Sequence, residues 1–322
     1  MTQYAPIAYF AFNRPQHTAR TLAALSANPE AAETDLHIFV DGARHALEQP
    51  AVDEVLRLAH ATEGFRSVSV HASPSNQGLY HSITQGVSRV IGHTGRVIVV
   101  EDDILVSRHF LAYMNDALNT YQDLRQVGCI HAYSPSADGF PDYFFLRGGD
   151  CWGWATWADR WLLYRADTRG LVHDLVASRQ LAAYLDVNGH HSLVHLVKRA
   201  KGRNQSWASN WHASLFLANR LTLHPGQSYV ENIGNDGSGT HAAISDVYST
   251  SVTSSYDGIH TVPVAHNDVC ARIMRDFLDD VAHESPGRKL RRVLITMLIK
   301  AQAIAIYVTY RPRQSMTQQS TH

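Results

Sequence analysis

The stretch Val97-Ile98-Val99-Val100-Glu101-Asp102-Asp103 places three consecutive carboxylates directly after four apolar residues. An unbroken run of valine and isoleucine is typical of a buried central strand in a mostly parallel sheet. Adjacent carboxylates repel one another, and their removal from water costs free energy. A divalent cation between them would offset both effects, and ligands of open α/β sheets bind at the carboxyl ends of the strands. The stretch therefore predicts a Mg²⁺ or Mn²⁺ site at one edge of a parallel sheet.

The acidic triplet, residues 101–103, has a second interpretation. Carboxylates are also stabilised in the first turn of a helix, where they face the positive end of the helix dipole. Taken alone, the triplet favours a metal site and a helix start about equally. The rest of the chain favours the metal site, because polar residues follow the other predicted strands in the same way.

Strand patterns alternate with helix patterns along the first 110 residues. This alternation predicts βαβ units with right-handed crossovers, and therefore an α/β fold in which helices flank a mostly parallel, Rossmann-like sheet. Beyond residue 110 the alternation fades, and residues 171–198 have a helical pattern. The predicted strands span residues 7–12, 36–40, 67–71 and 97–100, and the predicted helices span residues 15–25, 51–61 and 80–91.

The chain has 322 residues, 45% of them hydrophobic, which fits one large α/β domain with an appendage. We expect the α/β domain to span residues 1–245. Its nucleotide-binding half is expected at about 1–110 and its acceptor half at about 111–245. Residues 246–322 are predicted to be a linker and a helical C-terminal extension.

The C-terminal extension contains a basic run, residues 288–292, followed by an apolar run, residues 293–310. Lys300 interrupts the apolar run, so the segment is a poor candidate to span a bilayer. It predicts an amphipathic helix, which either lies on a membrane or docks on the α/β domain.

Composition and charge argue against several classes of protein. The net charge of -1 and the sequence pI of about 7.1 give no electrostatic case for binding nucleic acid. Cys129, Cys151 and Cys270 lie far apart and form neither zinc-ligand spacing nor a disulfide framework, which suits a reducing compartment. The N-terminal segment lacks the pattern of a secretory signal. We therefore expect a protein of the cytoplasm, either free or peripheral at the inner face of the cell membrane.

Polar residues follow each of the other predicted strands. Phe12-Asn13-Arg14 follows the first, Asp41 the second and Asn76-Gln77-Gly78 the third. Because the carboxyl ends of parallel strands share one edge of the sheet, we expect these residues and the acidic triplet to line one crevice. Aspartate can bind a ribose, asparagine can read a base edge and arginine can neutralise phosphate, so the set predicts a nucleotide site. The chain has no Walker A sequence and no Gly-x-Gly-x-x-Gly after the first strand, which argues against two commoner nucleotide-binding folds.

In this order the motifs resemble the GT-A fold of inverting nucleotide-sugar glycosyltransferases, and the acidic triplet resembles their DXD-type metal motif. Two later segments, Cys151-Trp152-Gly153-Trp154-Ala155-Thr156-Trp157 and residues 232–241, resemble a bacterial branch of that group. In that branch such segments occur in enzymes of surface-polysaccharide assembly. The resemblance covers roughly the first three quarters of the chain and does not extend beyond Ala243.

The resemblance implies a metal-dependent, inverting transfer from a nucleotide sugar, most simply a UDP-sugar, to a saccharide or lipid-linked acceptor. Asp103 would bind Mn²⁺ or Mg²⁺ directly, and Glu101 would support it. His241 ends a Gly-Ser-Gly-Thr-His stretch and is a further candidate metal ligand, with an ordinary surface histidine as the alternative. The residues expected to bind the nucleotide are Phe12, Asn13, Arg14, Asp41, Asn76, Gly78 and Asp102.

The sequence leaves the general base open. The family often places an acidic residue beside a tryptophan after the Gly-Trp segment, but residues 206–212 contain no carboxylate. Asp150 and Asp236 are the candidates, and His212 is a third. Asp150 is slightly favoured because it directly precedes the Gly-Trp segment, whereas Asn-Asp-Gly around Asp236 is ordinary turn chemistry.

Two other functions fit part of the pattern. A nucleotidyltransferase acting on sugar phosphates shares a similar sheet and an acidic metal site. It would want a Gly-rich phosphate loop with basic residues after the first strand, which Ala11-Phe12-Asn13-Arg14 is not. A non-catalytic protein that binds carbohydrate or nucleotide sugar is supported by the missing carboxylate near Trp207.

Overall fold

A computed structural model describes residues 4–237, 248–281 and 288–311. Eight of the described strands form one sheet in the order β3-β2-β1-β4-β8-β6-β9-β7, and β5 pairs with β10 in a separate two-stranded sheet. The strands are β1 Ile7–Ala11, β2 Asp35–Val40, β3 Ser67–Ala72, β4 Arg96–Glu101, β5 Ile104–Val106, β6 Val127–His131, β7 Tyr143–Arg147, β8 Trp154–Trp157, β9 Leu221–Pro225 and β10 Val230–Asn232.

The large sheet is mostly parallel. Strand β8 runs antiparallel to both of its neighbours, and β7 runs antiparallel to β9, whereas the other pairs are parallel. Helices flank this sheet. They are α1 Pro15–Ser26, α2 Gln49–His60, α3 Leu79–Thr94, α4 Phe110–Tyr121, α5 Ala158–Trp161, α6 Thr168–Ala177, α7 Leu181–Ala200, α8 Trp207–Leu217, α9 Asp268–Val281 and α10 Arg288–Thr309. The predicted α/β class is confirmed, and the arrangement is consistent with a GT-A fold.

Both faces of the sheet are covered, which explains the unbroken apolar run of β4. Helices α1, α2 and α4 supply the core on one face. Helices α3, α5 and α8 cover the other, where the ring of Trp154 packs against Trp161, Trp207 and Trp211 with centroids 5.3–5.8 Å apart. Trp154 is therefore a core residue. A third cluster joins α6, α7, α9 and α10 to α8 and β7.

The predicted strands and helices of the first 110 residues are confirmed to within about three residues at each end, but two later features differ. The helical pattern of residues 171–198 is confirmed but is divided between α6 and α7, because Arg179 adopts a left-handed φ of 59° between them. Apolar periodicity cannot show a single residue that breaks the helical backbone. Strands β6 to β9 were not predicted, since each is short and β7, β8 and β9 have no βαβ spacing.

The segment after residue 247 follows the surface of the large sheet. Tyr256, Ile259, Val262 and Val264 pack against the core, and His266 forms a parallel bridge with Phe145 of β7. This part of the predicted linker is therefore held by the α/β domain. The domain boundary at 245 and 246 lies outside the described residues and stays a prediction.

We predict that two glycines of α3 respond oppositely to alanine. A Cβ on Gly86 would lie 2.6 Å from Cε1 of Phe10, whereas a Cβ on Gly92 would meet nothing within 4 Å. Gly86→Ala should destabilise the fold by about 1–3 kcal/mol through overpacking. Gly92→Ala should leave stability unchanged or raise it by up to about 1 kcal/mol through helix propensity. Urea unfolding measures both, and a Gly86→Ala midpoint at or above wild type would contradict the packing of α3 on β1.

Candidate functional site

The acidic triplet lies at the carboxyl end of β4, and Arg14 is its nearest positive charge. Arg14 follows β1, which is the neighbour of β4 in the sheet. Its guanidinium forms ion pairs with both Asp102 and Asp103, the second with Nη2 2.9 Å from Oδ2. Nε of Arg14 also donates to Oδ2 of Asp102 at 3.3 Å. Parallel pairing thus brings two polar groups together that are almost 90 residues apart in the chain.

The triplet holds more negative charge than Arg14 balances. Burial, together with the charges of Asp103 and Asp102, raises the pKa of Glu101 to about 8, although the charge of Arg14 acts in the opposite direction. Burial also raises the pKa of Asp102 to about 6, although the charge of Arg14 acts in the opposite direction. Both carboxylates would be stabilised by a further positive charge, so the site has the electrostatics of a cation site. Arg14 already occupies one side of it, and a divalent ion would have to bind beside the guanidinium or displace it.

Asp41 follows β2 and anchors the loop that follows β3. Its carboxylate accepts hydrogen bonds from the backbone N–H of Gln77 at 2.8 Å and of Gly78 at 2.9 Å, and from Nδ2 of Asn76 at 3.0 Å. Asn76 also donates to the carbonyl of Gly42 at 2.8 Å. The structure therefore brings Asp41, Asn76 and Gly78 together as expected, but these groups bond to one another. They shape the edge of the crevice.

Glycine is required at two points of this loop. A Cβ on Gly42 would lie 2.5 Å from the carbonyl carbon of Ser75, so only glycine lets the two loops approach. Gly78 has a φ of 77° and directly precedes α3. That left-handed conformation favours glycine and turns the chain into the helix.

Phe12 and Asn13 contact two residues that the sequence patterns did not predict as part of the site. Nδ2 of Asn13 donates to Oε1 of Glu48 at 3.2 Å. The guanidinium of Arg44 stacks over the Phe12 ring at 5.2 Å and is ion-paired with Glu48. Arg44 is exposed and lies two residues after Asp41-Gly42. This Asp-Gly-x-Arg spacing is the feature of the sequence that could have indicated a second positive charge at this edge of the sheet.

The segment around β10 covers the acidic triplet. The N–H of Ile233 donates to the carbonyl of Asp103 at 2.8 Å, and a Cβ on Gly234 would lie 2.4 Å from Oδ2 of Asp103. Nε2 of His17 lies 3.3 Å from Oδ2 of Asp236 and 3.2 Å from the carbonyl of Ile233. Asp236 therefore lies in the segment that covers the acidic triplet. His241, a predicted metal ligand, lies outside the described residues.

Asp150 lies in a second polar cluster with two histidines. Its Oδ1 is 3.5 Å from Nε2 of His131, and Nδ1 of His131 is 3.2 Å from Nδ1 of His224. The backbone N–H of Trp152 donates to Nε2 of His131 at 3.3 Å, so a neutral His131 carries its hydrogen on Nδ1 and donates it to His224. Burial lowers the pKa of both histidines to about 3, which keeps both rings neutral.

This second cluster also has the donor chemistry of a metal site. One ligand atom from each of His131, Asp150 and His224 lies within 4.8 Å of the others. Two imidazoles and a carboxylate are a ligand set that first-row transition metals accept. Sequence reasoning missed both histidines, because they lie on β6 and β9, which are brought together only by the sheet. The feature of the sequence that could have indicated this cluster is a histidine at the end of one short apolar stretch, β6, and next to the end of another, β9.

Cys151 is influenced by the charges of both clusters. Burial raises the pKa of its thiol, and the charges of Asp150, Glu101 and Asp103 act in the same direction. Asp150 retains 33% of its side-chain exposure and Asp236 retains 50%, so a substrate can reach both. His212 is buried beneath Gly148 and its Nδ1 lies 2.8 Å from the carbonyl of Gly149, which makes it the least accessible of the three candidate bases.

Comparisons with known proteins do not assign a family. No protein-family model and no curated protein matches this sequence. Among solved structures, the chain is similar to the crystal structure of mouse xyloside xylosyltransferase 1 in its apo form. That similarity has a TM-score of 0.29 and 10% sequence identity, and it covers 66% of this chain and 81% of that chain. A similarity of this extent carries no argument about function, which therefore rests on the geometry of the site.

We predict that Asp41→Ala destabilises the protein by about 1–3 kcal/mol, because two partly buried backbone N–H groups and Asn76 lose their acceptor. The loop around residues 75–78 should become more sensitive to limited proteolysis. Asp53→Ala is the matched control, since Asp53 is exposed on α2 and bonds only to Gln49 in the same helix. Equal unfolding midpoints for both variants would show that Asp41 does not hold the loop.

Proposed function

We propose that this protein is a glycosyltransferase that moves a sugar from a nucleoside-diphosphate sugar, most simply a UDP-sugar, to a saccharide or lipid-linked acceptor. The observation that carries the proposal is the acidic triplet at the carboxyl end of β4, which faces Arg14 and is covered by the segment around β10. A buried acidic site with an adjacent guanidinium, at the ligand-binding edge of an α/β sheet, suits a diphosphate and its metal.

In the proposed reaction the acceptor hydroxyl loses its proton to a carboxylate, and its oxygen attacks the anomeric carbon. The bond from that carbon to the nucleoside diphosphate breaks, which inverts the anomeric configuration. A Mn²⁺ or Mg²⁺ ion would supply Lewis-acid stabilisation of the leaving diphosphate. Asp103 is the proposed ligand, with Glu101 beside it and His241 as a further candidate, and Arg14 is placed to share the phosphate charge.

The nucleotide is proposed to bind along the edge formed by the loops after β1, β2 and β3. Phe12 and Asn13 would contact it directly. Asp41, Asn76 and Gly78 hold the loop against which it would lie. Both carboxylate oxygens of Asp102 pair with Arg14, so Asp102 would act mainly by fixing the position of that guanidinium.

Asp150 and Asp236 are the proposed candidates for the general base. Both are accessible: Asp236 lies beside His17 in the segment that covers the triplet, and Asp150 lies beside His131 in the second cluster. Asp150 has a further argument in its favour, because the N–H of Cys151 donates to its carboxylate at 2.8 Å and so fixes its position. The protein is proposed to act in bacterial surface-polysaccharide assembly, on the cytoplasmic side of the membrane.

One observation favours a second candidate function. Arg14 already supplies the positive charge between Asp102 and Asp103, so the triplet could be a structural ion-pair network in a non-catalytic protein that binds nucleotide sugars. Such a protein would bind the donor without metal and would not turn it over.

We predict that Asp103→Asn abolishes metal-dependent turnover. The assay follows release of nucleoside diphosphate from a panel of nucleotide sugars with Mn²⁺, with and without saccharide acceptors. Loss of the ligand removes a term worth several kcal/mol in the transition state, so the rate should fall by about three orders of magnitude or more. Asp123→Asn, at an exposed position after α4, is the control and should retain full activity.

The outcomes of this assay separate the candidates. Donor binding without turnover, unchanged by Mn²⁺, would support the non-catalytic protein. Metal-dependent turnover that survives Asp103→Asn but not His224→Ala would place the metal at the second cluster. Near wild-type turnover in both variants would reject both metal sites.

We predict that Asp150→Asn and Asp236→Asn differ in turnover. The variant of the true base should lose about two to four orders of magnitude in kcat, because amide nitrogen and oxygen cannot take the acceptor's proton. Donor affinity, measured by calorimetry with the nucleoside diphosphate, should be unchanged in both. If neither kcat changes, neither carboxylate is the base.

A further inference from the structure

Helix α10 docks on the α/β domain through one of its faces. Ile299, Ala303 and Ile306 are buried against the cluster that includes α6 and α7. Polar contacts hold the C-terminal half of the helix: Nζ of Lys201 donates to Oε1 of Gln302 at 2.6 Å, and the guanidinium of Arg169 donates to Oγ1 of Thr309 at 3.1 Å. Successive turns of α10 therefore pack on the α/β domain, which is one of the two arrangements that the sequence allowed.

The opposite face of α10 is also apolar, and it is exposed. At about 100° per residue, Met297, Ile304 and Val308 point roughly away from Ile299. The exposed stripe consists of large apolar residues that retain between 49% and 64% of their accessibility in the described part of the chain: Val293, Leu294, Met297, Leu298, Ile304 and Val308. It runs for about 22 Å along the helix axis. A contiguous apolar stripe of this length marks an interaction surface.

Charge identifies the partner of the exposed stripe. Residues 285–322 contain seven basic residues and no acidic residue, so they carry +7. The whole chain has a net charge of -1, and the other residues therefore carry -8. In the sequence, four basic residues precede the stripe, one interrupts it and two follow it: Arg288, Lys289, Arg291 and Arg292, then Lys300, then Arg311 and Arg313. A second copy packed on the stripe would bring like charges together, whereas an anionic surface would attract them.

We propose that α10 is an interfacial helix that binds anionic lipid with its exposed stripe while its other face stays docked on the protein. Among the described residues no helix is long and apolar enough to cross a bilayer, which limits α10 to the interface. The apolar stripe inserts at the level of the lipid headgroups, and the basic residues contact the phosphates. Lys300 lies at the border of the stripe and can extend its ammonium group to the headgroups.

Vesicle co-sedimentation of the full-length protein tests this proposal independently of any catalytic activity. Vesicles of phosphatidylcholine with about a third phosphatidylglycerol should bind the protein at least about tenfold more tightly than pure phosphatidylcholine, because each basic residue near the surface contributes about 1 kcal/mol. Met297→Glu combined with Leu298→Glu should weaken binding to anionic vesicles by about tenfold or more, because two inserted side chains are lost. Both residues are exposed, so the unfolding midpoint should stay at the wild-type value.

Leu47→Glu is the matched control, since Leu47 is 90% exposed and lies outside α10. It should bind vesicles as the wild type does. Three outcomes would overturn the proposal: no binding to anionic vesicles, equal binding to neutral and anionic vesicles, or a dimer in sedimentation velocity that the paired glutamate variant converts to a monomer. The last result would assign the stripe to a second copy of the chain.

Discussion

The carboxylates at the end of β4 impose the main constraint on this structure. A strand buried on both faces delivers them to the edge of the sheet, where burial makes their charge unfavourable. Arg14 offsets part of that cost by pairing with Asp102 and Asp103. This pairing requires β1 beside β4, and the hydroxyl of Thr21 adds a hydrogen bond to the carbonyl of Asp102 from the next turns of α1. This electrostatic pairing thus depends on the order of the central strands and on the position of α1.

The remaining loops of this edge are arranged around that charge. The loop after β3 is held by Asp41, and the segment after β10 lies so close to Asp103 that only glycine fits at 234. Each loop uses backbone N–H groups to satisfy a carboxylate or a carbonyl, which makes the edge rigid without a large apolar contribution. A diphosphate is itself an anion, so its proposed binding beside this buried negative charge would require the positive charge of Arg14 and of a divalent ion. Asp150 adds a second polar centre from the other half of the sheet.

The C-terminal helix shows how one segment can satisfy two sequence interpretations. An apolar run interrupted by one lysine is consistent with docking on the protein and with contact to a membrane. In the structure the docked residues occupy one side of α10 and the exposed stripe occupies the other. The helix has two apolar faces, so docking does not use up its hydrophobic surface.

The sequence by itself determined the first half of the sheet and the residues of its polar edge. Apolar runs ending in Arg14, Asp41, Asn76 and the acidic triplet were sufficient, because parallel strands place their carboxyl ends at one edge whatever the rest of the fold does. It could not determine which of these groups bond to one another. Only the tertiary structure decided that the Asp41 carboxylate bonds to the loop after β3 and that Arg14 pairs with the triplet. The same holds for the cluster of His131, His224 and Asp150. Those contacts depend on strand order and loop approach across tens of residues, and local patterns of hydrophobicity and charge carry no information about such distances.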